Sequence, residues 1–224
     1  MSNSAVSKKE TETRLRNEFD RQVENLLHKG YPKLAGMSEQ EFVKYIKPLK
    51  ARIRLLAVPG KVASNGHIPF VIVIKNDLVA PEFAMSRVEI KDTTGSVNMH
   101  PVEPKSFKPI EGLEIPSGIA YLLVNIDTGQ STLNVTPAAA LKIIRKRKRL
   151  PLTIDEGVAL VTHFPQVLTD KKNYNCFSML GSRSGDQRVP AMWISYSKPR
   201  LGWCWDGNPH TWLGSASCGS RVGL

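Results

Sequence analysis

The run Ile68-Pro-Phe-Val-Ile-Val-Ile-Lys75 is the strongest constraint on what this chain can fold into. β-Branched and aromatic side chains in unbroken succession read as a strand buried in a core, because they pack well on a pleated surface and are costly to leave in water. Pro69 has no N–H to donate to a ladder, which confines the start of this strand to a strand end or a sheet edge. At 224 residues the chain is long enough to build a core around the strand without disulfides or metal ions.

Helical patterns come before it. From Glu12 to Lys29 the apolar residues Leu15, Phe19, Val23, Leu26 and Leu27 recur at helical spacing, with Gly30 where a C-terminal cap falls. Ser38-Glu-Gln-Glu41 is a capping box that opens a helix through Phe42, Val43 and Ile46, stopping near Pro48. The middle of the chain is extended: Arg52 to Val58, a turn at Asn65-Gly66, the Ile68 strand, Arg87 to Lys91, and Ile119 to Ile126 closed by Asp127-Thr-Gly129. Between Thr93 and Pro116 four prolines point to irregular surface loop. Two helices follow, one capped by Thr136-Pro137 and the other by the box Thr153-Ile-Asp-Glu156, the latter ending near Phe164-Pro165. The remainder is β-like, over Cys176 to Leu180, Ala191 to Tyr196 and Leu201 to Trp205, with Ser197-Lys-Pro-Arg200 joining the last two. Blocks of helix and strand in place of strict alternation predict an α+β fold. The expected layout is a disordered tail over 1–10 and one domain over 11–224: a helical arm (11–50), a central mixed or antiparallel sheet (51–130), a helical pair (136–168) and a Trp-rich C-terminal β region (174–218).

Composition narrows the setting. Hydrophobic residues make up 41% and charged residues 23%, as in a globular protein, and no window approaches the roughly 18 apolar residues a membrane span needs. The first ten residues lack the apolar segment of a secretory signal, so a cytoplasmic protein with no membrane partner is expected. Three cysteines cannot all pair within one chain, and in a reducing compartment free thiols are expected. The net charge of +11 points to an anionic partner, and six of the eight residues from Lys142 to Arg149 are lysine or arginine.

Several phrases mark a kinship: Leu160-Val-Thr-His-Phe-Pro165, Leu180-Gly-Ser-Arg183, Arg188-Val-Pro-Ala-Met-Trp-Ile-Ser195, and above all Leu201-Gly-Trp-Cys-Trp205 followed by Gly207-Asn-Pro-His-Thr-Trp-Leu-Gly214. On these the chain resembles a bacterial single-domain protein family of unknown function, over nearly its whole length from Phe19-Asp-Arg-Gln-Val23 to Cys218. The resemblance implies one domain and carries no activity, cofactor or active site.

The chemistry-bearing residues gather late in the chain, where all four tryptophans fall between Trp193 and Trp212 and all three cysteines lie from Cys176 onward. Cys176, Cys204, His210 and Cys218 offer the donor types of a zinc site, but the spacing lacks the close pairs that structural zinc sites use, so no metal or cofactor is expected and buried thiols are the plainer reading. A cysteine nucleophile, Cys204 or Cys176, would need a base such as His210 or His163 and an orienting Asp206 or Asp186. Gly181-Ser-Arg-Ser-Gly-Asp-Gln-Arg188 has the glycines, Ser182, Arg183 and Arg188 of an anion-binding loop, beside the plainer reading of a solvated turn. Trp193, Trp203, Trp205 and Trp212 form either a stacking pocket or core, with core the better reading for two or three of them. Lys142, Arg145, Lys146, Arg147, Lys148 and Arg149 form either a phosphate-contacting run or a solvated helix end. His163 ends an apolar helix, where an imidazole caps free carbonyls.

The resulting expectation is a protein that binds an anionic small molecule at 181–210, with Arg183 and Arg188 on the anion, Ser182, Trp203, Trp205 and Trp212 lining the site, and His210, Cys204 and Asp206 as proton-transfer candidates. Two alternatives stand beside it: a nucleic-acid module using the basic run, and an interaction protein using the N-terminal amphipathic helix.

Overall fold

The computed structural model describes residues 8–56 and 67–224 and has an α+β architecture with two main sheets. In the first sheet every pairing is antiparallel. Strand Ala120–Asp127 lies in its middle, with His67–Ile74 along one edge and Ser217–Cys218 followed by Ser220–Val222 along the other. Leu150–Pro151 closes that side. Pro69 thus stands near the start of an edge strand. The second sheet is mixed and follows the order Leu213–Ser215, Cys176–Ser178, Arg188–Ser195, Lys198–Trp205 and Ser96–Val97. The C-terminal β region therefore does both things open to it. It builds the second sheet up to Ser215 and completes the first from Ser217 onward.

The exposed edge of His67–Ile74 is covered by side chains, not by another strand. Helix Lys8–His28 buries Leu15, Phe19 and Leu26 on the core and brings in Gln22, itself fully buried. The Gln22 amide donates to Phe70 O at 3.0 Å and accepts from Ile72 N at 2.8 Å, so it satisfies the strand as a neighbouring peptide would. The apolar face that an interaction helix would offer to a partner is thus occupied by the protein's own core.

Helix Ile154–His163 packs against the same strand, and Glu156 anchors it. Fully buried, this carboxylate accepts from Thr153 N (2.7 Å), Tyr121 OH (2.8 Å), Arg221 Nε (2.5 Å) and Arg221 Nη2 (2.8 Å), and Arg221 Nη2 also donates to Pro151 O. The capping-box glutamate has a second role that joins a helix, a central strand and the last strand. The backbone N–H of Ile154, free at the helix start, donates to Ser182 Oγ.

Several local expectations are corrected. Residues 52–55 belong to a 3-10 helix, Lys47–Leu55, and not to a strand: Leu49 and Ile53 are buried while Arg54 and Leu55 face solvent, which is helical spacing. The α-helix opened at Ser38 does end near Pro48, at Ile46, and the chain continues in the 3-10 helix, whose first turn holds Pro48 where no N–H is needed. The first helix begins at Lys8, inside the segment expected to be disordered. Short strands at Thr93–Thr94, Ser96–Val97 and Lys108–Pro109 punctuate the expected loop. The hairpin between Arg188–Ser195 and Lys198–Trp205 turns on two residues, Tyr196 and Ser197, with φ of 50° and 62°; Lys198 to Arg200 are in the strand. The Asn65-Gly66 turn and the tail over 1–7 lie outside the described residues.

Replacing Arg221 with methionine leaves the Glu156 carboxylate buried without its charge partner, and a cost of about 3–5 kcal/mol in urea unfolding at pH 7 is expected. The double variant Arg221→Met, Glu156→Gln is expected to lose less than Arg221→Met alone. A single variant as stable as the parent would contradict the role given to this pair.

Candidate functional site

The tryptophans form two pairs on opposite faces of the second sheet. In the pairing register Trp203 and Trp205 share a face with Pro190 and Arg188, whereas Trp193 shares the other with Gly202 and Cys204. Trp203 and Trp205 stand edge to face, ring centroids 4.9 Å apart, and the Arg188 guanidinium sits 4.6 Å and 4.8 Å from the two rings. Trp193 and Trp212 form the second edge-to-face pair at 6.4 Å. None of the four is fully buried, and Trp212 is 48% exposed. Trp203 and Trp193, half-buried, pack against the two hydrophobic clusters, as the core reading expects of two of the four, while Trp205 and Trp212 are exposed. The two sheet faces are covered by smaller side chains, among them Val189, Ala191 and Leu213 on one and Met192 and Leu201 on the other.

The Trp193–Trp212 pair opens onto a cleft of about 680 Å³, within the range of small-molecule sites. It has three walls, formed by 130–133, by 168–176, and by 193–194 together with 211–212. Its apolar surface comes from the indoles, Tyr174, Leu133, Leu168 and Ile194, and Lys171 supplies the only charge among the described lining residues. The back wall is fixed before any ligand arrives. The Asn175 amide accepts from Thr128 Oγ1 (3.0 Å) and donates to Thr128 O (2.8 Å), and Thr132 Oγ1 accepts from Ser215 N while donating to Gly129 O. Gly129, at φ 88°, and Gly214 allow these backbones to touch: a Cβ on either would come within 2.3 Å of the other segment's carbonyl oxygen. Trp193 lies over Gly202, where a Cβ would meet the indole at 2.2 Å. Gly202 thus makes room for the indole that walls the cleft.

The residues singled out in the sequence are placed apart. Arg183 donates to Leu180 O and pairs with Asp206 at 3.0 Å; Arg188 pairs with Asp186. Ser182 is fully buried and caps a helix. The 181–188 loop consumes its own charges and hydroxyls, which corrects the reading of it as an open anion site. Cys204 lies in Lys198–Trp205, Cys176 in Cys176–Ser178, and Cys218 pairs with Leu150 in the other sheet. Among the described residues no group of three or more His, Cys, Asp or Glu is arranged to hold a metal ion, which corrects the zinc alternative. Burial pushes the Cys204 and Cys218 thiols up to about 12 and raises that of Cys176, the opposite of what a nucleophile needs. His210 stacks at a tilt on Trp212, 5.3 Å between centroids, and Asp206 is engaged with Arg183, so the expected proton-transfer set of His210, Cys204 and Asp206 is not joined by any hydrogen bond among the described residues. Within the basic run Arg149 is structural: it donates to Ser217 Oγ, Ser217 O and Asn125 O.

A family model described as "Family of unknown function (DUF5701)" matches residues 25–224. The chain belongs to DUF5701. No curated protein and no solved structure matches it. The DUF5701 match takes in all three cleft walls, the Glu156 anchor and Arg221, the last of these beyond the Cys218 limit set by the sequence phrases. Of the cleft-lining residues in this DUF5701 member, Trp193, Trp212 and Cys176 stand out in the sequence. Gln130, Leu133, Leu168, Lys171 and Tyr174 carry no local signal, because only the packing of distant loops brings them together.

A second cavity, of about 10 Å³, lies beneath helix Ile154–His163 and is the size of one water molecule. Asp155, Thr162, His163 and Tyr31 line it. His163 is buried and neutral: Nε2–H donates to Ile72 O at 3.1 Å and Nδ1 accepts from Asn25 Nδ2 at 3.2 Å, so the ring caps the edge strand and not its own helix. Burial holds its pKa down to about 3. Asp155 keeps some exposed surface, yet its Oδ1 is shut off from solvent with no partner among the described residues, while Oδ2 accepts from Asn76 N. Burial pushes this carboxyl up to about 7, opposed by the Asn76 hydrogen bond.

An unfolded aspartate titrates near about 3.9. Between that pH and about 7 the folded protein binds the extra proton, so the stability contributed by neutral Asp155 is fully present in acid and is lost as pH rises to about 7. His163 acts oppositely, its contribution being lost as pH falls from about 6.5 toward about 3. Asp155→Asn is expected to raise stability at pH 7.5 by up to about 4 kcal/mol, with the gain vanishing near pH 4. Urea unfolding of both proteins at the two pH values checks it, and a gain independent of pH would contradict it.

Proposed function

We propose that this DUF5701 protein binds a small ligand with a flat, largely apolar body and an anionic group, held in the cleft between Trp193, Trp212, Tyr174 and Lys171. The observation that carries the reading is the cleft of about 680 Å³ with two accessible indoles and, among its described lining residues, a single charge, a lysine. Indole faces and edges attract flat rings, and the exposed Lys171 ammonium at the cleft supplies a positive charge for an anionic group, an attraction that weakens as salt rises. The anionic ligand expected from the sequence is retained, and its site moves from the 181–188 loop to the cleft. Binding is favoured over turnover, since Cys176 is the only thiol among the described lining residues, no imidazole or carboxylate lines the cleft with it, and burial raises its pKa. We further read residues 11–224 as one domain, because the main hydrophobic cluster draws on the N-terminal helices and on both sheets.

Titrating the protein with indole-3-acetate, 4-hydroxybenzoate and adenosine 5′-monophosphate while following tryptophan fluorescence tests this reading. Saturable quenching by at least one of them is expected, weakened about tenfold or more by Trp212→Leu, in keeping with stacking energies of about 1–3 kcal/mol, and unchanged by Trp205→Leu. A flat response to all three, or quenching lost only in Trp205→Leu, would overturn it.

A further inference from the structure

Five cations of the basic run remain on the surface. Lys142, Arg145, Lys146, Arg147 and Lys148 are exposed, and none of the ion pairs formed among the described residues involves them. Helix Pro137–Lys146 buries Pro137, Ala140 and Ile144, which turns the charges outward. Lys148 stands at φ 55°, a left-handed position where glycine is the low-energy residue.

This helix end abuts the cleft. Arg147 Nη1 donates to Ser131 Oγ at 2.5 Å, and Ser131 lies between Gln130 and Leu133, both of which line the cleft. A second lining segment, 168–176, carries Lys171 and its exposed neighbour Lys172. Cations therefore stand beside two of the three walls of a cleft containing two accessible indoles. Single-stranded nucleic acid presents the matching chemistry: unpaired bases that stack on aromatic side chains, joined by phosphates that follow a basic track. A duplex keeps its bases stacked inside and offers the cleft nothing. We propose that the cleft takes a base of a single-stranded nucleic acid whose neighbouring phosphates lie on Lys142–Lys148 and on Lys171 and Lys172. This rests on the reading of the cleft as a site for a flat anionic ligand, and it names the polymer as that ligand's source.

The test is fluorescence anisotropy of a labelled twelve-residue oligothymidylate and of a labelled twelve-base-pair duplex, with adenosine 5′-monophosphate quenching run in parallel on the same protein. The single strand is expected to bind at least tenfold more tightly than the duplex, with log affinity falling linearly against log salt by about 0.7 per phosphate engaged. The double variant Lys146→Ser, Lys148→Gly relieves the strained backbone and keeps the fold. It is expected to weaken oligonucleotide binding about tenfold and to leave mononucleotide quenching unchanged, whereas Trp212→Leu weakens both. If adenosine monophosphate binds and the oligonucleotide does not, or the duplex binds equally well, or the double variant binds the oligonucleotide as the parent does, the proposal falls and the cleft reading stands. If neither the mononucleotide nor the oligonucleotide binds and the other aromatic anions also fail, both fall.

Discussion

The buried carboxylate of Glu156 is the interaction on which the rest of the structure depends. Placing a charge in an apolar interior is costly unless every oxygen lone pair finds a donor, and here Thr153 N, Tyr121 OH and two nitrogens of Arg221 supply them. Each donor comes from a different part of the fold: the helix start, the central strand of the first sheet and the last strand of the chain. A misregistered final strand would leave both Glu156 and Arg221 buried and unpaired. The pair thereby specifies register more than it adds net stability.

Register at the C-terminus matters because the ribbon over 213–222 belongs to both sheets. Ser215 pairs with Ser178 in the second sheet and Ser217 with Asp127 and Pro151 in the first. Arg149 clamps the crossover through Ser217, and Thr132 Oγ1 accepts from Ser215 N just before it. Fixing this ribbon fixes the 128–133 loop against Gly214, and with it the back wall of the cleft. The function proposed for the cleft thus depends on a pair of buried charges at the far end of the ribbon. The same economy governs other charges. Arg149, Arg183 and Arg188 are spent on carbonyls and carboxylates within the fold, which leaves the end of helix Pro137–Lys146 and the Lys171–Lys172 edge as the cationic surfaces beside the cleft.

Much of the fold was legible where local physics decides it. The Ile68 strand and its edge position follow from β-branched residues and Pro69, both capping boxes mark real helix starts, and Thr136-Pro137 opens a helix as its chemistry requires. Reading failed where distant partners decide. Arg52 to Val58 read as extended, but its described start, to Leu55, is the end of a 3-10 helix that buries Leu49 and Ile53. The tryptophans divide where the sequence could not divide them: Trp193 and Trp203 pack half-buried on the core, and Trp205 and Trp212 stay exposed because smaller residues fill both faces of their sheet. Arg183 and Arg188 read as ligand-binding because their partners, Asp206 and Asp186, could not be assigned to them from sequence. Of the cleft, the sequence offered Trp193, Trp212 and Cys176; Lys171, Tyr174 and Gln130 are joined to them only by the close approach of Gly129 and Gly214 and by the Asn175 amide.

In the proposed function the Trp193–Trp212 cleft, and not the Trp203–Trp205–Arg188 stack, receives the ligand. The four indole N–H resonances in a nitrogen-correlated NMR spectrum, assigned by single Trp→Phe variants, test this directly during titration with adenosine 5′-monophosphate or indole-3-acetate. Trp203 Nε1–H already donates to Met99 O at 3.1 Å and serves as an internal reference. Progressive shifts of the Trp193 and Trp212 resonances are expected, with those of Trp203 and Trp205 unmoved. Shifts confined to Trp203 and Trp205, or no shift of any resonance at saturating ligand, would contradict it.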